Sequence, residues 1–166
     1  MKWSIGMGKR SIKENKNAYQ LCREELNLTR DQAAELLECI SADRIEKIEN
    51  EKTSPHPDEI LTMAKAYKKP ALTNYYCSNI CSIGQKYVPE VKTTELSQIV
   101  LEMLATLNSI DRQRNRLIDI TADGKITSDE LEDFKNIQET LENVSLTVDS
   151  LKLWVEDAIA NGKIEE

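Results

Sequence analysis

The apolar positions of the first half of the chain recur at helical spacing in short bursts. Tyr19, Cys22 and Leu26 lie on one face of a helix from about 16 to 26. Ala33, Ala34 and Leu37 form the inner face of a second, opened by Thr29 as cap, and Ser41 caps a third whose inner face is Ile45 and Ile48. Ala34 is small enough for the third helix to cross the second closely. Pro57 and Asp58 start a fourth helix carrying Ile60, Leu61, Ala64 and Tyr67, which ends before Pro70, and a last turn or two covers Leu72 to Tyr76. The expectation is a compact five-helix domain over 16–76, near the lower size limit for a self-sufficient core.

The period changes after an irregular stretch, 77–92, read as a linker because it holds Gly84 and Pro89 with little periodicity. Leu96, Val100, Met103, Leu107, Ile110 and Leu117 alternate at spacings of four and three, interrupted by Arg114. After a gap at 122–125 comes a second series: Phe134, Ile137, Leu141, Val144, Val148, Leu151, Val155 and Ala158. Such heptads keep a seam facing a partner helix, which predicts a long, coiled-coil-like antiparallel hairpin over 93–160. Further apolar residues beside the seam (Ile99, Leu104, Ile118, Leu146, Trp154) call for more cover than one partner gives, either from a second copy or from the first domain. We expect an all-α protein that forms a homodimer through these helices.

Charge separates the halves. Residues 1–76 hold 13 Lys and Arg against 12 Asp and Glu, whereas residues 77–166 hold 9 against 17. The first 15 residues are a basic flexible arm with Lys2, Lys9, Arg10 and Lys13 against Glu14, and Lys16 follows; this cluster suits a phosphate backbone or a solvated tail. The net charge of −7 argues against a protein that coats nucleic acid nonspecifically, but a specific binder needs positive potential only at its contact face. No leader-like segment opens the chain and no apolar run approaches the roughly 20 residues that span a bilayer, so the expectation is a cytoplasmic protein without membrane contact.

Two motifs hint at metals. Cys77 and Cys81, spaced i and i+4, place two thiols on one helical face, where they suit core packing, a redox pair or half of a tetrahedral site. Cys22 and Cys39 fall on apolar helix positions and read as core. Residues 119–130 follow calcium-loop spacing, with Asp119, Thr121, Asp123, Lys125 and Glu130 at ligand positions and Gly124 at the sharp turn. The same letters spell a hairpin turn, in which Asp123-Gly124 closes one helix and Thr127 with Glu130 forms a capping box for the next. The metal-free turn is preferred, and no cofactor is expected.

The stretch from Tyr19 to about Tyr76 resembles the lambda-repressor and Cro-like helix-turn-helix regulators, also called the xenobiotic-response-element type. The likeness rests on Leu21-Cys22-Arg23-Glu24-Glu25, on Leu28-Thr29 with Ala34 and Leu37, on Ile45-Glu46-Lys47-Ile48-Glu49-Asn50, and on Pro55 with Leu61 and Met63-Ala64-Lys65-Ala66. It implies that the helix from Ala42 enters a major groove of double-stranded DNA and that Arg30 sits against phosphate. Ser41, Ala42, Asp43, Arg44, Lys47 and Lys52 complete the expected contact set, with Arg44 suited to pair bidentately with a guanine edge or, with Lys47, to pair with Glu neighbours on a solvated face. The chain departs from the family pattern in three places. Ala33 replaces a larger aliphatic residue, the turn Glu38-Cys39-Ile40-Ser41 is one residue longer, and Glu51 stands where glycine usually ends the recognition helix.

No enzyme constellation accompanies these features, since the one histidine, His56, lies between Pro55 and Pro57 and no glycine-rich loop follows a strand. The leading expectation is a dimeric, sequence-specific DNA-binding transcriptional regulator. The alternatives are an interaction module that keeps the fold without DNA contact, motivated by Asp43 and Glu46 on the reading helix, and a calcium-responsive helical protein.

Overall fold

A computed structural model describes residues 15–92 and 94–165, and every regular element among them is helical. The basic arm expected at 1–15 lies, apart from Asn15, outside the described residues. The helices are α1 (Ala18–Glu25), α2 (Arg30–Leu37), α3 (Ala42–Glu49), α4 (Pro57–Ala66), α5 (Ala71–Asn79), α6 (Gly84–Tyr87), α7 (Leu96–Thr121) and α8 (Leu131–Ala160). They fall into two compact units, one reaching Glu90 and including the chain from Asp157 onward, the other running from Val91 to Glu156. No helix among the described residues is long and apolar enough to cross a membrane.

In the first unit each of the first three helices begins at a side-chain cap. Asn17 Oδ1 accepts from Gln20 N, while its amide nitrogen donates to the Ile48 carbonyl at 2.9 Å and ties the start of α1 to α3. Thr29 and Gln32 close a reciprocal capping box, and Ser41 Oγ accepts from Arg44 N. The core joins Tyr19, Leu37, Ile40, Ile45, Ile48, Ile60, Met63, Tyr67 and Leu72. The fully buried small residue of α2 is Ala33, at 0% exposure, whereas Ala34, expected to permit the close crossing, lies only partly buried at the edge of the core. Leu26, assigned to the inner face of the first helix, is exposed; Arg23 takes that place.

The stretch read as linker is partly helical. α5 continues to Asn79, and α6 turns back so tightly that a Cβ on Gly84 would lie 2.1 Å from the Cys77 carbonyl oxygen, which leaves glycine as the residue that fits.

In the second unit α7 and α8, of 26 and 30 residues, form an antiparallel hairpin. Gly124 supplies the left-handed turn at φ 72°, Asp123 accepts from Lys125 N, and Glu130 accepts from both the backbone and the hydroxyl of Thr127. Arg116 Nε reaches Asp133 Oδ2 at 2.7 Å across the base of the hairpin.

The buried seam keeps half of the heptad positions read in the sequence, Met103, Ile110, Leu117, Ile137, Val144, Leu151 and Ala158, and replaces the alternate ones by the residue just before each. On α7 the inner positions are Ile99, Met103, Thr106, Ile110, Gln113, Leu117 and Ile120; on α8 they are Ile137, Thr140, Val144, Thr147, Leu151 and Trp154. Ile99 is 0% exposed, while Leu96, Val100, Leu107, Leu141, Val148 and Val155, all assigned to the seam by periodicity, are exposed. Two apolar lines compete for the inside of each helix. The structure buries the line that carries threonine and glutamine at alternate levels and leaves the more aliphatic line outside.

Candidate nucleic-acid interface

The α2–α3 unit holds its recognition helix through a buried ion network. Glu49, on the inner face of α3 and 1% exposed, accepts from Arg23 Nε and Nη2 and from Arg30 Nε at 2.8 Å. Arg23 also donates to the Leu28 carbonyl before α2. Through these two arginines one carboxylate joins α1, α2 and α3, and Arg23 adds the α1–α2 turn. Burial alone would lower the Arg23 pKa, but the hydrogen bond and charge of Glu49 carry it above the ordinary guanidinium value. The sequence reading missed Glu49 and Arg23 as a pair. The signal was their position, since Glu49 follows Ile45 by four and Arg23 follows Tyr19 by four, which puts both on inward faces.

Arg44 is pinned in a similar way at the other end of α3. Its guanidinium meets Glu59 in a two-pronged pair at 2.7 and 2.8 Å, and also donates to Thr53 Oγ1 and to the Ser54 carbonyl. Glu59 also accepts from His56 N at the start of α4. The Arg44 hydrogen bonds hold the Glu59 carboxyl below the usual carboxylate range against the opposing effect of burial.

The other expected contact residues lie on or beside the solvent face of α3. Ser41, Asp43, Lys47 and Lys52 are exposed and Ala42 is half-buried. Lys47 pairs with Asp43 at 2.6 Å within one helical turn. Lys52 and Arg30 flank Glu46 at 3.7 and 3.9 Å, so α3 presents interleaved positive and negative groups rather than a uniformly basic face. Its C-terminal end is closed by Glu51 in the left-handed conformation, φ 57°, with Lys52 N bonded to the Lys47 carbonyl. The residue that departs from the usual glycine thus adopts glycine's backbone shape.

No metal centre assembles among the described residues, where no group of three or more His, Cys, Asp or Glu side chains is placed to hold an ion. Cys77 and Cys81 are partly buried free thiols, Cys81 Sγ accepting from Gly84 N, and Cys39 is exposed rather than in the core. Burial pushes the Cys22 thiol up to about 11.

Comparison with curated proteins and with solved structures gave no match. Residues 20–72, from α1 into α5, match the helix-turn-helix family model, and this segment is a helix-turn-helix domain of the lambda-repressor and Cro-like kind, a family of regulatory DNA-binding domains.

Proposed function

We propose that the protein is a cytoplasmic, sequence-specific transcriptional regulator that binds double-stranded DNA as a homodimer, with residues 16–76 reading DNA and the helical hairpin pairing two copies. The observation that carries this reading is the family match over 20–72 together with an α3 whose inner face is anchored by Ile45, Ile48 and Glu49 while Ser41, Asp43 and Lys47 face solvent. Arg30, Ser41, Ala42, Asp43, Arg44, Lys47 and Lys52 form the proposed contact set. Arg30 and Arg44 serve DNA only by sharing or exchanging their carboxylate partners, because both are engaged within the domain. The basic arm supplies further phosphate contact, and its charge compensates for Asp43 and Glu46 on the reading helix.

A second reading is favoured by that same engagement: a helix-turn-helix that binds protein instead of DNA. Selection from random duplexes at low salt, with the purified full chain, separates the two. Enrichment of a two-fold motif with half-sites about one helical turn apart, or a multiple of it, supports the regulator. Affinity that falls steeply with salt accompanies it. Absence of any enriched motif overturns it in favour of the interaction module.

A further inference from the structure

The two flanks of the α7–α8 hairpin differ in kind. On α7 the residues one step before the inner positions Met103, Ile110 and Leu117 are Glu102, Ser109 and Arg116; on α8 those before Ile137, Val144 and Leu151 are Asn136, Asn143 and Ser150. These flanking positions are polar on both helices, and Leu146 and Leu153, further round on that side of α8, are not exposed. The residues one step after Ile99 and Thr106 are Val100 and Leu107, and those after Thr140, Thr147 and Trp154 are Leu141, Val148 and Val155. In an antiparallel pair, equivalent offsets on the two helices fall on the same side of the hairpin. These aliphatic residues thus form one apolar face, interrupted on α7 by Arg114 and its ion-pair partner Asp111, and they are more than a third exposed, Leu107 at 47% and Leu141 at 46%.

Register makes the face self-complementary. With Arg116 opposite Asp133, Leu107 lies level with Leu141 and Val100 with Val148, each to within one residue. A copy related by a two-fold axis along the hairpin lays its α8 on this α7 and its α7 on this α8, and both of these levels then meet their apolar counterparts. Together with Leu104, Ile118 and Val155 these side chains expose roughly 500 Å², in the upper part of the range of the largest patch on an ordinary monomer and more than half of the about 800 Å² that each partner contributes to a stable interface.

We infer that this face is covered by the same face of a second copy, in register, giving a four-helix bundle with α7 of one chain against α8 of the other. The inference rests on the dimer reading above and adds to it the surface, the axis and the pairing. The threonines and glutamine set into the inner seam fit this arrangement, because the aliphatic line left outside each hairpin then becomes the centre of the bundle.

The test is the mass of the full chain by light scattering at about 10 µM, with helicity followed by circular dichroism. Wild type is expected to be a dimer. Leu107→Glu and Leu141→Lys, each alone, are expected to keep their helicity and weaken association at least about a hundredfold. A one-to-one mixture of the two is expected to recover a heterodimer, because the carboxylate introduced at position 107 of one chain then meets the ammonium introduced at position 141 of the other. A monomeric wild type overturns both the dimer reading and this face. A dimeric wild type whose two variants also stay dimeric, or whose monomeric variants fail to re-associate on mixing, overturns the face and pairing while leaving dimerisation standing. DNA binding is read separately by duplex selection, so its failure does not bear on these outcomes.

Discussion

Arg44 grips Glu59 through Nε–Oε1 at 2.7 Å and Nη2–Oε2 at 2.8 Å, so the side chain best placed by sequence to read a base also fastens α3 to the start of α4. The two roles are separable by substitution. Arg44→Ala removes charge-assisted hydrogen bonds and leaves Glu59 with its His56 amide partner, which is expected to lower stability by about 1–3 kcal/mol in urea denaturation. Glu59→Gln weakens the grip while keeping the guanidinium, and is expected to retain or tighten binding to the preferred duplex. Loss of site discrimination in Arg44→Ala but not in Glu59→Gln marks base reading; equal losses in both mark a purely structural strut. Arg30→Ala, by contrast, is expected to weaken all duplexes alike.

The same pair predicts a pH dependence. The Arg44 hydrogen bonds hold the Glu59 carboxyl below its unfolded value. At Glu24 burial acts upward, but the hydrogen bonds from Lys16 and Gln20, with the charges of Lys16 and Arg23, together bring that carboxyl below its ordinary value as well. Depressed carboxylate values stabilise the fold fully above the unfolded range near about 4.3 and lose that contribution as pH falls through the folded values. Stability measured by denaturation is therefore expected to be level from pH 7 to about 5 and to decline below about 4.5. The Glu59→Gln chain is expected to start lower and decline less.

Glu49 accepts from two guanidinium groups, so its removal acts on more than one helix. Glu49→Ala leaves Arg23, which is 6% exposed, without that carboxylate. A cost of about 3–5 kcal/mol is expected, enough to unfold much of a domain this small. Thermal unfolding followed by circular dichroism checks it.

At the end of α3, Glu51 holds φ 57° with a side chain that disfavours it. Glu51→Gly relieves that conformation at a position exposed to solvent, and is expected to stabilise the domain by roughly 1 kcal/mol. An unchanged or lower midpoint in urea would show that the Glu51 side chain contributes more than its backbone strain costs.

The hairpin offers a paired contrast one turn apart. Ile137 is 2% exposed in the seam and Leu141 is 46% exposed on the apolar face. Ile137→Asp buries an unpaired charge and is expected to cost several kcal/mol and disrupt the hairpin, whereas Leu141→Asp is expected to leave helicity intact and act on assembly alone. Circular dichroism distinguishes the two.

The local chemistry of the chain was enough to place most elements. Thr29 and Ser41 cap helices because their side chains reach amides three residues ahead, and Pro57 and Gly124 sit where their backbone preferences serve. The helix-turn-helix was legible because its core faces repeat at helical period within a few residues, and the hairpin turn because Asp123, Gly124, Thr127 and Glu130 act over a single loop. What the sequence left open are relations between residues far apart. Whether Arg44 points to solvent or to Glu59, and which inward positions of α1 and α3 hold Arg23 and Glu49, depends on how separate helices meet, and periodicity carries no information about that meeting. The same limit decided the seam. A helix with apolar residues on both sides of one heptad line satisfies heptad spacing with either neighbour as the alternate position. Only the partner helix, through contacts such as Arg116 with Asp133, selects Ile99, Thr106, Thr140 and Thr147 for the inside and leaves Val100, Leu107, Leu141 and Val148 on the surface.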